Sequence, residues 1–457
     1  MSTGHLFDLL LSHLLSIVGF LMGFVLVASI LASRRAPGTT YAWLLAIVLI
    51  PYVGVPLYLV LGGRKLRKGQ IKQALYASPQ PGAQRGTIAE MMCASGAPPI
   101  RTANQIDLHL TGEVAYAAVV ETLSSAQRSI HISTLILGND EVGHALVDLL
   151  IAKARAGLEV RVLLDAMFKF RADRRRLAAL RDAGAKFAWF NPVWHVPFRA
   201  HANLRLHRKI IVVDGHTAIV GGMNLATEYM GPTPSPTRWR DLSLRVVGGA
   251  VEDIDAVFRA DWHHAAHEEL AVKDVAVTDG HAEIQVVGSG PDVANDLLYD
   301  AFLSAVFEAR HRLWIATPYF VPDEALVRGL VLAVRRGVDV RIIVPARSNH
   351  RTADFAGASY LRQVAEAGGT ICCYRPGMMH AKSILVDNVF AVIGSANLDM
   401  RSLFLNFEIS LFFTSRAEIE ALAGWFESMW PACGPLAPAG RARMTIEALA
   451  RLIGPLE

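Results

Sequence analysis

Two long apolar stretches open the chain. Leu9 to Leu31 contains no Asp, Glu, Lys or Arg, and Ala36 to Gly63 is again free of formal charge. A helix over Leu9–Leu31 would be roughly 35 Å long, against a hydrocarbon core of about 30 Å. The pattern predicts a two-helix transmembrane hairpin, with Tyr41–Leu61 as its second span, kinked at Pro51 and Pro56. A cleaved signal peptide normally begins with a positive region, and Met1–Asp8 has no Lys or Arg. Length and position argue against buried core helices. Arg34 and Arg35 lie between the spans, and Arg64, Lys65, Arg67, Lys68 and Lys72 follow the second. The larger cluster places both ends, and the rest of the chain, on the cytoplasmic side of a multi-pass membrane protein.

Beyond the spans, Gln70 to about Ile100 is rich in Gly, Pro, Ala, Ser and Gln and reads as a tether. From about Gln105 the hydrophobic pattern alternates between helix and strand periods. Thr111–Ala126 is expected to be helical, Ser129–Leu137 a strand, Gly143–Ala156 a helix and Val160–Leu164 a strand. The order repeats as Ala294–Ala309, Arg312–Thr317, Glu324–Arg336 and Val340–Val344. Gly157-Leu-Glu-Val-Arg-Val-Leu-Leu aligns with Gly337-Val-Asp-Val-Arg-Ile-Ile-Val, so the repeat is a duplicated domain. Such alternation implies an α/β fold, two pseudo-symmetric halves with mixed β-sheets flanked by helices. The break between halves falls near Asp274–Gly290, and Arg441–Ile453 reads as a short amphipathic helix of unassigned purpose. The expected division is a hairpin over 1–63, a basic and Gly/Pro-rich tether over 64–104, halves over 105–275 and 276–438, and a C-terminal segment over 439–457.

Composition sharpens this picture. At 457 residues the chain exceeds one ordinary core, and its 52% hydrophobic content is high for a soluble protein. The mean hydropathy of +0.32 points the same way. A net charge of +4 suits an anionic surface but is too mild to indicate nucleic acid. Cys93, Cys372, Cys373 and Cys433 form neither a CxxC pair nor a zinc pattern, which suits a reduced compartment.

The chemistry concentrates in His380–Glu408. His380-Ala-Lys382 is followed by an apolar run, Asp387, a second apolar run, Ser395, Asn397 and Glu408. Two strands joined by a turn at Asp387-Asn388 would bring His380, Lys382 and Asn397 towards one sheet end. The arrangement occurs earlier as His207, Lys209, Asp214 and Asn224, with Lys two, Asp seven and Asn seventeen residues after His in both copies. Neutral imidazole can attack phosphorus, and protonated imidazole can donate to a leaving alcohol. The two ammonium groups neutralise non-bridging oxygens, with hydrogen bonds added by Asn224, Asn397 and Ser395. That is the work a metal often does, so neither a metal nor another cofactor is expected.

These paired motifs resemble the HxK(x)4D pairs of the phospholipase D superfamily, and the resemblance covers nearly the whole chain. It is closest to bacterial cardiolipin synthases. Thr317-Pro-Tyr-Phe-Val-Pro-Asp323, Gly377-Met-Met-His-Ala-Lys382, Asn397-Leu-Asp-Met-Arg-Ser402, Asn406-Phe-Glu408 and the stretch from Ala42 to Leu66 are similar to theirs. The resemblance implies a membrane-bound phosphatidyltransferase of the bacterial inner membrane. It would join two phosphatidylglycerols into cardiolipin and glycerol, with His207 as nucleophile and His380 as acid/base; the residues alone leave those roles open. It places Asp214 and Asp387 in the catalytic set, although Asp is common in such turns for local hydrogen bonding. A later carboxylate, Asp241 or Glu408, is the better candidate to orient each imidazole. Other acceptors or donors, a hydrolytic phospholipase D, a nuclease and a lipid-binding scaffold are the alternatives.

Further features carry less. His263, His264 and His267 lack further metal ligands and read as solvated helix residues. His195 and His201 fall in a loop ahead of the first motif. Lys169, Arg171, Arg174, Arg175, Arg176 and Arg181 form a basic cluster, either a solvated face or an anionic-lipid contact. Asp165-Ala-Met-Phe-Lys-Phe170 stands where the resembling enzymes carry a small Gly/Ser-rich turn, and would alter substrate choice if it lines the lipid entrance.

Overall fold

Prolines shape the N-terminal helices. A computed structural model describes residues 13, 17, 23–31, 37–63, 65, 87–192, 202–272, 278–293 and 295–453. The chain divides into two units, Met1–Arg64 with Val193–Asn203 and Lys65–Pro192 with Leu204–Glu457. In the first, the expected second span is two helices, Pro37–Leu49 and Pro51–Leu61, broken at Ile50 (φ −133°, ψ 62°). Proline disfavours helical geometry in the residue before it, and Pro51 starts the next helix where its missing N–H costs nothing. Pro56 is accommodated inside that helix. Leu26, Ile30, Trp43, Ile47, Val55 and Tyr58 pack together, while Phe24, Leu49 and Tyr52 face outward. Among the described residues no helix is long and apolar enough to cross a membrane.

The second unit is built on one fifteen-stranded sheet whose two runs mirror each other. From one edge come Lys186–Phe190, Glu159–Asp165, Ser129–Thr134, Ile210–Val213, Thr217–Gly221, Ser243–Val247 and Arg101–His109. From the other come Thr370–Tyr374, Asp339–Pro345, Arg312–Ala316, Ser383–Val386, Phe390–Gly394, Glu408–Phe413 and Ala282–Ser289, with Cys433–Gly434 outermost. In each run the first three strands pair in parallel and the rest antiparallel. Parallel pairs need crossovers, supplied by helices Glu141–Arg155 and Arg174–Asp182 in one half and Glu324–Arg335 and Arg351–Glu366 in the other. Asp140 and Asp323 cap equivalent helices, accepting from Gly143 and Leu326.

The halves meet where Arg101–His109 pairs antiparallel with Ala282–Ser289. One buried cluster crosses this seam, holding Leu206, Ile210 and Val212 with Met379, Ala381 and Leu385. The stretch expected to separate the halves therefore contributes a strand of the seam itself. The tether also needs correction. A helix, Ile88–Ala94, closes it with a capping box between Thr87 and Glu90, and Ile88 and Met92 are buried against Phe302 and Leu298. Residues 66–86 of that stretch lie outside the described ones. The C-terminal helix Arg441–Ile453 packs on Arg351–Glu366. There the buried Glu447 accepts from Arg362 and Arg443, each at 2.9 Å.

Candidate active site

The motif hairpins place their chemistry at one end. His207 lies three residues before Ile210–Val213 and His380 three before Ser383–Val386. His380 is buried and His207 partly so, with 6% and 12% of their side chains exposed. The carboxylates cross between halves. His207 Nδ1 lies 2.9 Å from Glu408, and His380 Nδ1 lies 2.6 Å from Asp241. The backbone explains the exchange. His207 N–H donates to Phe407 O at 2.9 Å, and Phe407 N–H donates to Arg205 O at 2.9 Å, which sets Glu408 beside His207. His380 N–H donates to Arg240 O at 2.6 Å, and Arg240 N–H donates to Met378 O at 2.8 Å, which sets Asp241 beside His380. Spacing along the chain pointed to the two carboxylates but carried no sign of the exchange.

The residues beneath each carboxylate differ because the acids differ in length. A Cβ at Gly222 would sit 2.3 Å from Asp241 Oδ1, so only glycine fits. At the equivalent place Ser395 donates to Glu408 at 2.5 Å. This corrects the phosphate-binding expectation for Ser395, whose hydroxyl is already committed to the longer acid. Lys209 Nζ donates to His207 O at 2.6 Å. Lys382 Nζ lies 2.7 Å from His380 Nδ1 and 3.1 Å from its Nε2, and donates to His380 O. Asn224 Oδ1 accepts from Ile136 N–H at 3.3 Å and from Thr134 at 3.4 Å. Asn397 Nδ2 donates to Asp399 at 2.9 Å.

Burial sets the charges. It lowers His207, with Glu408 opposing and Lys209 assisting, and drives His380 well below the usual imidazole value, assisted by Lys382 and Lys209. Lys209 falls to about 7 and Lys382 to about 8, chiefly from burial. Burial raises Asp241 to about 6 against the pull of Lys382. It also pushes Glu408 up, but His207, Lys209 and Ser395 together hold that carboxyl below its ordinary value. The site is thus two neutral rings on ionised carboxylates, with two ammonium groups close to losing their protons.

Asp214 and Asp387 lie elsewhere, which corrects their inclusion in the catalytic set. Each occupies the turn at the far end of its hairpin with positive φ, 56° and 51°. Asp214 accepts three backbone N–H groups, from Gln127, Arg128 and Ser129. Asp387 does the same for Arg310, His311 and Arg312. Sequence reading also missed two buried ion pairs behind His207. Asp165 accepts from Arg205 at 3.1 Å and from Leu206 N–H at 2.8 Å, so the start of the unusual turn clamps the segment leading to His207. Phe170, further along that turn, is exposed. Arg208 is fully buried and reaches Asp261, Glu408 O and Ser289 O.

The weaker expectations resolve differently. His264 is not simply solvated, since it pairs with Asn191 at 2.9 Å and packs on Phe190. Among the described residues no group of three or more His, Cys, Asp or Glu is arranged for a metal ion. In the basic cluster Arg171 pairs with Glu228, Arg176 with Asp148, and Arg181 stacks over Phe187. His195 and His201 lie outside the described residues. A cleft of about 330 Å³ opens beside the motif of the second half, bordered by Tyr319, His350, Asn397, Asp399, Arg401 and Asn406.

The family described as cardiolipin synthase, PLD-like domain, matches residues 119–262 and 302–430, and a phospholipase D-nuclease N-terminal family matches 23–63. A cardiolipin synthase of Alkalihalophilus pseudofirmus is 33% identical over 420 residues, 85% of this chain and 82% of that protein. A cardiolipin synthase of Geobacillus thermodenitrificans is 33% identical over 83% of this chain and 80% of that protein. Among solved structures, phosphatidylserine synthase of Haemophilus influenzae superimposes with a TM-score of 0.57 at 16% identity, covering 77% of this chain and 93% of that one. At that identity the likeness concerns the fold.

Proposed function

Since the chain belongs to the cardiolipin synthase family of phospholipase D-like proteins, we propose that it is a phosphatidyltransferase making cardiolipin from two phosphatidylglycerols. The observation that carries this reading is the crossed pair of histidines, each oriented by the other half's carboxylate. A carboxylate on Nδ1 fixes the tautomer that leaves Nε2 as a lone pair, and it stabilises the imidazolium that forms.

His207 is the nucleophile. Its Nε2 has no hydrogen-bond partner among the described residues, whereas the ring of His380 is crowded by Lys382, whose Nζ lies 2.7 Å from Nδ1 and 3.1 Å from Nε2. His207 Nε2 attacks phosphorus as the P–O bond to glycerol breaks, and His380 gives that oxygen a proton. The hydroxyl of a second phosphatidylglycerol then returns a proton to His380, and its oxygen displaces His207. Lys209 and Lys382 balance the charge on the non-bridging oxygens. His380 must be protonated for the first step, although burial and both lysines oppose this in the empty site. An incoming phosphodiester brings the negative charge that relieves the opposition.

The apolar helices of the first unit and the likeness over 23–63 support an N-terminal membrane anchor of two spans. With it go a place in the bacterial inner membrane and catalytic halves on the cytoplasmic side, the halves being divided as residues 105–275 and 276–438. The test is product mass spectrometry of the purified protein with phosphatidylglycerol as its only phospholipid. Cardiolipin with free glycerol is expected. Phosphatidic acid alone would make water the acceptor and overturn the transferase.

A further inference from the structure

We propose that the turn at residues 166–170, with the basic residues after it, docks the catalytic unit on an anionic phospholipid surface beside His207. This rests on the transferase reading and adds where that unit meets the bilayer that holds its lipid. The turn starts from Asp165, the wholly buried last residue of strand Glu159–Asp165. The Asp165 carboxylate accepts from Met167 N–H at 2.8 Å, and also from Leu206 N–H and Arg205. One buried acid therefore fixes both the turn and the segment leading into His207. The side chains that follow are open to solvent. Met167 is 38% and Phe170 70% exposed, and Lys169 beside them is exposed as well.

The duplicated half shows that such a turn does not need an apolar tip. Gly157 aligns with Gly337, so Met167, Phe168 and Phe170 stand where the other half carries Arg347, Ser348 and His350. The two turns follow equivalent strands of the sheet and lead into equivalent crossover helices. His350 borders the cleft beside the second motif, so the matching place in the first half is also at the reacting end. Charge completes the surface. Arg171 pairs with Glu228 and Arg176 with Asp148, while Asp173 caps helix Arg174–Asp182 by accepting from Arg175 N–H. Those acids are occupied, whereas Lys169, Arg174 and Arg175 are exposed and form no ion pair among the described residues. An apolar tip backed by uncommitted cations suits a lipid interface, where Met and Phe enter the acyl boundary and Lys and Arg meet anionic headgroups. A nucleic acid would use the cations but leave Phe170 in water. Phosphatidylglycerol is itself anionic, so the same surface gathers the donor next to its nucleophile.

The test uses full-length protein reconstituted into phosphatidylcholine vesicles, with glycerol release as the signal. Phosphatidylglycerol is either mixed into the bilayer or supplied from water as the dihexanoyl lipid below its micelle concentration. Phe170→Asp is expected to raise KM for the bilayer lipid at least about tenfold, the scale of returning one large apolar side chain to water. Its kcat, and both constants for the dihexanoyl lipid, should stay within about twofold of wild type. An unchanged KM for the bilayer lipid, or equal losses on both lipids, would overturn the docking surface while leaving the transferase intact. A second measurement keeps the aromatic side chain. With p-benzoylphenylalanine in place of Phe170, irradiation is expected to attach bilayer lipid to the turn. The same probe in place of Val389, exposed in the turn at the far end of its hairpin, should take none. Lipid at neither position, or equally at both, would contradict the docking surface. No glycerol from either lipid with wild-type protein would overturn the transferase reading, and the docking surface with it.

Discussion

Each imidazole depends on a single buried carboxylate, and that dependence can be measured. Asp241→Asn leaves His380 with an amide that can present the wrong group to Nδ1. Glu408→Gln does the same to His207 and also strands the Ser395 hydroxyl. Turnover should fall roughly 10²- to 10⁴-fold in either variant with the fold retained, read as kcat beside a circular dichroism melt. The ammonium groups predict a pH limit. Lys209 and Lys382 are held down to about 7 and 8, so their charge is complete below those values and lost as pH rises through them. Accordingly, kcat/KM should decline above about pH 7–8. The decline in kcat should lie at higher pH, because bound phosphodiester favours the charged lysines. At this scale the sequence named the histidines, lysines and carboxylates but not the exchange between halves. That exchange is made by backbone bonds of Phe407 and Arg240, which leave no mark on side-chain identity. The commitment of Ser395 to Glu408 was hidden for a related reason, since a hydroxyl's partner depends on what the fold brings to it.

Hairpins and crossovers were the most readable elements, because strands buried on both faces leave near-continuous Val, Ile and Leu runs between turn residues. The turn aspartates belong to this scale. Asp214 ties the Gln127–Ser129 backbone to its hairpin, as Asp387 ties Arg310–Arg312. Asp214→Ala should lower stability by about 1–3 kcal/mol through the N–H groups it strands, while the pH profile of the folded enzyme stays as in wild type. A changed profile would return Asp214 to the catalytic set. Helix Ile88–Ala94 was obscured by the Gly/Pro-rich composition around it, although Thr87 and Glu90 carried the capping signature.

Across the whole molecule, duplication supplied two equivalent hairpins, and the seam made them one site. The repeat was visible as two aligned strand-forming segments, but the continuity of the sheet was not, since strand pairing across a seam has no period along the chain. Small differences then break the symmetry. Gly222 admits the shorter Asp241 where Ser395 supports the longer Glu408, and Asn224 is satisfied where Asn397 is not. One motif can thereby serve as nucleophile and the other as acid/base. The most direct test is to quench turnover of phosphatidylglycerol in alkali, where phosphohistidine survives, and to map the adduct by peptide mass spectrometry. A phosphatidyl group on the His207 peptide is the predicted result. An adduct on His380 alone, or no adduct while cardiolipin accumulates, would contradict it.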